Sequence, residues 1–275
     1  GAPLMTGLVV VVPAGQAPVL QVTVPGDIAG PGEAVEVWGH TDTGVTWPVR
    51  GCPWTSDGSQ RVLGDPLAPV NIPVWYHAHA AVSGRTVTSL GRVVRPWSGL
   101  SLMTDVTGGG QVSLIWQGDD DRTPDQRVTV HEVPGRATPI TVFAPTMGAG
   151  TLSLTARTSG AHTRALASLA ARPAVVALFH NPAHCLQCRR GACDVELVTV
   201  MALSSVAHSR TSRRDAAERV WTIKGTICSV PEPRRLIGTS VWDDVDAARF
   251  SWDRLDAMGL SWDAFDRTLW KEVRQ

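Results

Sequence analysis

No sign of charge dominates this chain. Its 25 Lys and Arg are matched by 25 Asp and Glu, for a net charge of zero, so a nucleic-acid binder held by a broad basic face is not expected. Only 18% of residues are charged while 43% are hydrophobic, which excludes a chain disordered throughout. Long apolar runs are missing too. The run Leu8–Val12 is too short for a membrane span and follows no basic leader, so neither membrane insertion nor a secretory signal is expected. Cysteine is scarce: there are five, four of them after position 180, unlike a secreted disulfide framework. Synthesis in a cytosol is expected. Gly-x-Ser-x-Gly, His-Glu-x-x-His and any carboxylate pair in an acid–base setting are also lacking. The chain is therefore expected not to be an enzyme.

What is present points to β structure. A length of 275 residues suits two or three domains, and 26 glycines and 19 prolines punctuate short Val, Thr and Leu runs. Over residues 1–95 the expected strands are Leu8–Val12, Val19–Val24, Ala34–Trp38, Thr46–Arg50, Ile72–Ala80 and Thr86–Val94, with Asp65-Pro-Leu-Ala-Pro69 as a rigid turn. Trp38, Trp47, Trp54 and Trp75 read as core or inter-strand packing. His77 and His79 share one strand face and read as a solvent-facing pair with no third ligand in view.

A second strand set follows over 96–235: Leu100–Met103, Val112–Trp116, Arg127–Val133, Ile140–Phe143 and Thr151–Thr155. Thr107-Gly-Gly-Gly110 is a turn without the Lys-Ser/Thr of a phosphate loop. Gly118-Asp-Asp-Asp121 reads as a solvated acidic turn, since it lacks the spacing of a calcium loop. One helix is expected over Ser159–Ala171, capped by Ser159 and ended by Pro173, then a buried strand over Ala174–Phe179. Val195–Ser205 and Ala216–Cys228 read as a long hairpin turning near Thr211–Ser212, in an exposed basic loop.

Ligand chemistry gathers in His180-Asn-Pro-Ala-His184-Cys185-Leu-Gln-Cys188-Arg-Arg-Gly-Ala-Cys193. Cys185 and Cys188 form a C-x-x-C pair, which lets two thiolates reach one ion from a tight turn. A hairpin turning at Thr211–Ser212 sets Cys228 across from about Val195, near Cys193. The candidate set is therefore Cys185, Cys188, Cys193 and Cys228, with His180 or His184 able to replace one of them. Structural zinc, an iron–sulfur cluster, disulfides and inert thiols all remain open. A redox role for Cys-Leu-Gln-Cys is not expected, because no βαβ pattern surrounds it.

From Thr239 onward the chain repeats itself. Trp242, Trp252 and Trp262 recur every ten residues, each followed by Asp, an apolar residue three positions on (Val245, Leu255, Phe265) and a second Asp, with Trp270 closing the series. Ser251 and Ser261 suit N-caps, and the Asp after each Trp suits a helix start. Short helical units of this kind cannot bury their own tryptophans. They either pack on their own chain, form a sugar-binding ladder, or dock into a partner, and docking is the reading adopted.

The order of parts resembles the minor tail proteins of siphophages that infect actinobacteria. Val35–Val49 and Gly64-Asp-Pro-Leu-Ala-Pro-Val-Asn-Ile-Pro-Val-Trp-Tyr-His-Ala78 are similar to their fibronectin-like domain. Gly135-Arg-Ala-Thr-Pro-Ile140, the Thr-rich strand to Arg157, the helix and the strand to His180 are similar to their split-barrel or galectin-like domain. Asp215-Ala-Ala-Glu-Arg-Val-Trp-Thr-Ile-Lys-Gly-Thr226 resembles their final strand, and the Ser-Trp-Asp repeat resembles their tandem Thr-Trp-x-x-Leu tails. The resemblance implies a mainly β chain: a fibronectin-like sandwich (1–95), a split-barrel or galectin-like domain with one helix (96–235), and a helical Trp-repeat strap (236–275). It implies a structural virion protein of the tail tip, made in the host bacterial cytoplasm and joining the tail tube to the tip. Neighbouring copies in a ring, the tail tube and the tail hub are the expected partners. Some tail-tip proteins of this kind carry a four-cysteine iron–sulfur site. A carbohydrate-binding module for host recognition is the alternative.

Overall fold

The computed structural model describes residues 7–144, 148–171, 174–210 and 217–230, with Asp119 by its backbone alone. The strap residues Trp242, Val245, Trp252, Leu255, Trp262, Phe265 and Trp270 lie outside the described residues, as does the expected hairpin turn at Thr211–Ser212. No helix among the described residues is long and apolar enough to cross a membrane.

The chain is mainly β. Its first nine strands are β1 (Val9–Val11), β2 (Leu20–Val24), β3 (Ala34–Thr41), β4 (Thr46–Pro48), β5 (Trp54–Thr55), β6 (Arg61–Asp65), β7 (Pro73–Ala80), β8 (Thr86–Thr88) and β9 (Val93–Val94). They form two sheets, β1-β2-β6 and β4-β3-β7-β8, with β5 added to β3 and β9 to β7. Strict alternation along β3 and β7 explains the pairing of faces. Val35, Val37, Val74, Tyr76 and Ala78 point inward and meet Leu20, Val22, Val24 and Leu63 of the other sheet in one core. Two sheets sharing one core make a sandwich. β5 and β6 escape the sequence pattern because Trp54-Thr and Arg61–Asp65 carry too few apolar residues to alternate visibly.

One polar group is built into that core. Trp47 lies over Gly39, where a Cβ would stand only 2.4 Å from the indole, so only glycine fits beneath the ring. The indole N–H of Trp47 donates to Asp65 Oδ2 at 2.9 Å, Tyr76 donates its hydroxyl to the same oxygen at 2.8 Å, and the Leu67 N–H donates to Oδ1 at 3.0 Å. Burial pushes the Asp65 carboxyl up, and these three donors oppose the shift. Burial, and then the charge of Asp65, push the Tyr76 phenol far above its ordinary value. Tyr76 is the chain's sole tyrosine. Tyr76→Phe removes one donor from a buried carboxylate and is expected to cost about 1–3 kcal/mol. Urea unfolding reads this as a lower midpoint at an unchanged slope, and an unchanged midpoint would contradict it.

The second part holds β10 (Ser101–Asp105), β11 (Val112–Asp125), β12 (Val128–His131), β13 (Ile140–Phe143), β14 (Gly148–Thr158), helix α1 (Ala161–Ala170), β15 (Val175–Phe179), the single-turn helix α2 (Leu186–Arg189), β16 (Val198–Arg210) and β17 (Arg219–Ile227). Six of these strands close a barrel in the order β10-β11-β14-β17-β16-β15, all neighbours antiparallel. Leu152, Leu154, Met201, Trp221 and Ile223 fill it, together with Leu166 and Leu169 from α1. Trp221 is fully buried and donates its N–H to Thr158 Oγ1 at 2.7 Å. Hiding an indole of roughly 200 Å2 at about 25 cal/mol per Å2 is worth some ~5 kcal/mol before entropy is counted. β12 and β13 pair only with each other and stand exposed.

Three expectations are corrected by this part. Gly118-Asp-Asp-Asp121 is not a turn: it lies inside the fourteen-residue β11, paired with β14 through register shifts around Gly118. The ladder partner overrides the local turn preference of those residues. Ser159 does not cap α1, whose N-cap is Gly160 without a side-chain bond; Ser159 accepts the His162 N–H through its carbonyl. And α1 is joined by a second helix, the short α2.

Sandwich and barrel meet in a third core of Ala17, Leu67, Val70, Trp97, Leu102, Ala177 and Phe179. β15 accounts for it. Val176 and Leu178 point into the barrel while Ala177 and Phe179 point out of it into this junction, so the strand is buried on both faces and reads as an unbroken apolar run. At the centre of the junction sits Arg95, fully buried. Its guanidinium donates to the carbonyls of Pro18 (2.9 Å), Pro66 (2.9 Å), Ala68 (2.8 Å) and Ala17 (3.0 Å). It also lies 4.8 Å above the ring of Phe179. Burial pulls the guanidinium down to about 10, partly offset by the Asp65 charge, so it stays cationic at neutral pH.

Candidate metal centre

The loop between β15 and β16 is closed at its base by a backbone bond, the His180 N–H to the Leu197 carbonyl at 3.0 Å. Asn181, 3% exposed, anchors the loop. Its amide donates to the Gly99 carbonyl at 2.6 Å, while its oxygen accepts from Asn71 at 2.9 Å and from the Ala183 N–H at 3.1 Å. This last bond caps a 3-10 turn, Pro182–His184, with proline at the position where a missing N–H costs nothing. Cys185 then caps α2 by accepting the Cys188 N–H on its sulfur at 3.4 Å. Gly191 ends the helix at φ +69°, a left-handed residue that suits glycine. That reversal brings Cys193 back over the turn.

The result is a convergence of four side chains. One ligand atom from each of His180, Cys185, Cys188 and Cys193 lies within 4.8 Å of all the others. Cys185 and Cys193 sulfurs are 3.9 Å apart, and His180 Nε2 stands 3.2 Å from Cys188 and 3.5 Å from Cys193. A single ion holding sulfur at about 2.3 Å and nitrogen at about 2.0 Å in a tetrahedron implies sulfur–sulfur edges of roughly 3.8 Å and nitrogen–sulfur edges of roughly 3.5 Å. These three separations are close to those edges and the remaining pairs lie within 4.8 Å, so small side-chain shifts let the cluster hold one metal ion.

Its electrostatics fit the same chemistry. Burial, then the neighbouring Cys193 and Cys185, push the Cys188 thiol up to about 12. At Cys185 burial acts upward, but the Cys188 N–H and the adjacent thiols win and the value falls. Three thiolates at one point repel each other, and only a cation allows all three to ionise at neutral pH. Burial also holds His180 below the ordinary histidine value, which keeps its ring neutral and its lone pair available. The Trp116 ring lies 6.4 Å from that of His180, so the centre has a built-in fluorescent neighbour.

The sequence-based candidates divide. Cys185, Cys188, Cys193 and His180 come together. His184 is exposed and lies outside the group. Cys228 also lies outside it: its N–H bonds the Val200 carbonyl at 3.0 Å, and the half-buried thiol is pushed up by burial. The expected pairing of Cys228 with Val195 fails because the ladder between β16 and β17 is set in a different register. Arg210 pairs with Arg219, and a bulge at Leu203/Ser205 shifts the register partly back, so Met201 faces Ile227. Moving the partner of Cys228 from Val195 to the Val200 region carries it some five residues along the strand, about 16 Å. The strap candidates lie outside the described residues. No protein-family model and no curated protein matches this chain.

Proposed function

We propose that the protein is a structural, non-enzymatic component of a phage tail tip, a distal or minor tail protein that joins the tail tube to the tip through contacts between subunits. In this reading the two-sheet sandwich is fibronectin-like, the closed barrel is of the split-barrel or galectin-like kind, and the virion is where the protein resides. The observation that carries it is the succession of a sandwich and a barrel locked by a shared third core. Such a body can transmit load between neighbours, and it follows the order of sequence motifs that resembles minor tail proteins. The strap of Trp242, Trp252, Trp262 and Trp270 would hold the neighbour. Each indole removes about 200 Å2 from water on docking, and three at about 25 cal/mol per Å2 outweigh the ordering of a short tail.

The metal centre is read as structural zinc. Three thiolates and one imidazole within a single coordination sphere suit that ion, whereas an iron–sulfur cluster spreads its thiolates over several irons and so holds them farther apart. The carbohydrate-binding alternative has less behind it. Trp75, half-buried on the outward face of β7, has one ring face covered by His40 at 4.2 Å.

Two measurements test the reading. Light scattering on the purified chain is expected to give a discrete ring-sized assembly, with stoichiometric zinc on the same peak. Deleting residues 239–275 from the chain is expected to leave a folded body that no longer joins tails, and infectious particles built with the truncated chain would refute the strap.

A further inference from the structure

We propose that the outer face of the sandwich carries a second metal site, in which His40 and His77 together bind one imidazole-preferring divalent transition ion. The site begins with strand period. Because Val35, Val37, Val74, Tyr76 and Ala78 face the core, the alternate residues Glu36, Trp38 and His40 of β3 and Trp75, His77 and His79 of β7 face outward. The register pairs Trp38 with His77 and His40 with Trp75, which makes His40 and His77 diagonal neighbours on one face.

Their nitrogens converge. His40 Nε2 and His77 Nδ1 are 2.5 Å apart, while the ring centroids are 4.7 Å apart. That separation nearly equals the nitrogen gap plus the two ring radii, the largest value it could take, so the nitrogens lie close to the line between the rings and their lone pairs meet. His40 is held there by stacking on Trp75 at 4.2 Å and 14°. Burial, followed by the neighbouring His77 for His40 and by His79 for His77, lowers both rings below the ordinary histidine value. Both are neutral at pH 7, the form that ligates metals.

Between two neutral rings one nitrogen donates a hydrogen bond and the other accepts. If the bridging proton moves to the outer nitrogen of its own ring, both facing nitrogens become lone-pair donors and no net proton is released. An ion with bonds of about 2.0 Å at a tetrahedral angle needs the nitrogens about 3.3 Å apart and each lone pair turned about 35° off the line between them, so the rings part by under about 1 Å and tilt toward the ion, and water completes the sphere. His79, which the sequence reading set beside His77 as a solvent-facing pair, takes no part: its Nδ1 faces Thr86 Oγ1 at 3.2 Å. The donor set also separates this site from the cysteine centre, because an imidazole pair without thiolates favours Cu2+, then Ni2+ and Zn2+.

The test is a titration of the full chain, its cysteine centre first loaded with zinc, with Cu2+ followed by electron paramagnetic resonance. One equivalent with nitrogen hyperfine structure from two imidazoles is expected. His40→Gln and His77→Gln should each abolish it, and His79→Gln should leave it in place. Copper captured by the cysteines instead gives a sulfur-to-copper absorption band, a distinct signal. As a second measurement on the unmodified sequence, Zn2+ in excess of the cysteine centre is expected to protect His40 and His77 from diethylpyrocarbonate. Absence of a nitrogen-coordinated equivalent, its survival in both glutamine variants, or unprotected histidines would each overturn the site.

Discussion

Cys188→Ser is expected to release the ion from the cysteine centre and to lower the thermal midpoint by about 8–16 °C. The size follows from mass action. An ion present at about a thousand times its dissociation constant contributes roughly 4 kcal/mol to the folded state, and each kcal/mol moves the midpoint of a domain of this size by about 2–4 °C. A strong chelator added to the intact protein should reproduce the shift, and the serine variant should no longer respond to it. The loss has a predicted location. His180 and Leu197 close the loop base through the backbone, so the barrel keeps its structure while amide exchange rises over residues 181–197. Trp116, 6.4 Å from His180, should report the same event by fluorescence. A midpoint indifferent to both chelator and serine would dismiss the metal.

Arg95→Ala is expected to be the most damaging single substitution at the junction, at about 3–5 kcal/mol, the usual cost of breaking a buried charged network. Four carbonyls at 2.8–3.0 Å lose the guanidinium at once, although Ala17 keeps the Gln111 amide at 3.1 Å, and the Phe179 ring loses the cation above it. Those carbonyls belong to the segments at Ala17–Pro18 and Pro66–Ala68, which flank β2 and β6. Arg95→Lys should recover little, because one ammonium on a flexible stem cannot serve acceptors arranged around a planar fork. Urea unfolding of the two variants measures this, and a lysine variant as stable as the native chain would show that the fork geometry is immaterial. A loss of cooperativity, with sandwich and barrel unfolding in separate steps, is the expected signature of a broken junction.

Both predictions concern features whose parts were visible in the amino-acid order and whose assembly was not. Strand identity was largely a local matter. Ile140–Phe143 and the apolar run before His180 announce themselves through β-branched content, and α1 through Leu166 and Leu169 at helical spacing. The Cys185–Cys188 turn was equally legible, because a C-x-x-C pair with Gly191 behind it is determined by neighbouring residues.

Contacts across long separations were decided otherwise. Whether Cys228 joined the cluster depended on the register of β16 against β17, and that register, even after one bulge shifts it partly back, moved it about five residues. His180 entered because β15 ends where the loop folds back, a fact of barrel closure. Arg95 stands at the expected boundary between residues 1–95 and 96–235, with nothing in its neighbours Pro96 and Trp97 to mark it, yet two loops and a barrel strand surround it. The Asp triplet has the composition of a turn and becomes strand because β14 lies alongside. Local order in the chain sets which backbone conformation each stretch prefers, since that depends on a few adjacent side chains. Register, closure and burial set which distant groups share a site, since those depend on the sum of many ladder bonds and packed faces that no short window contains.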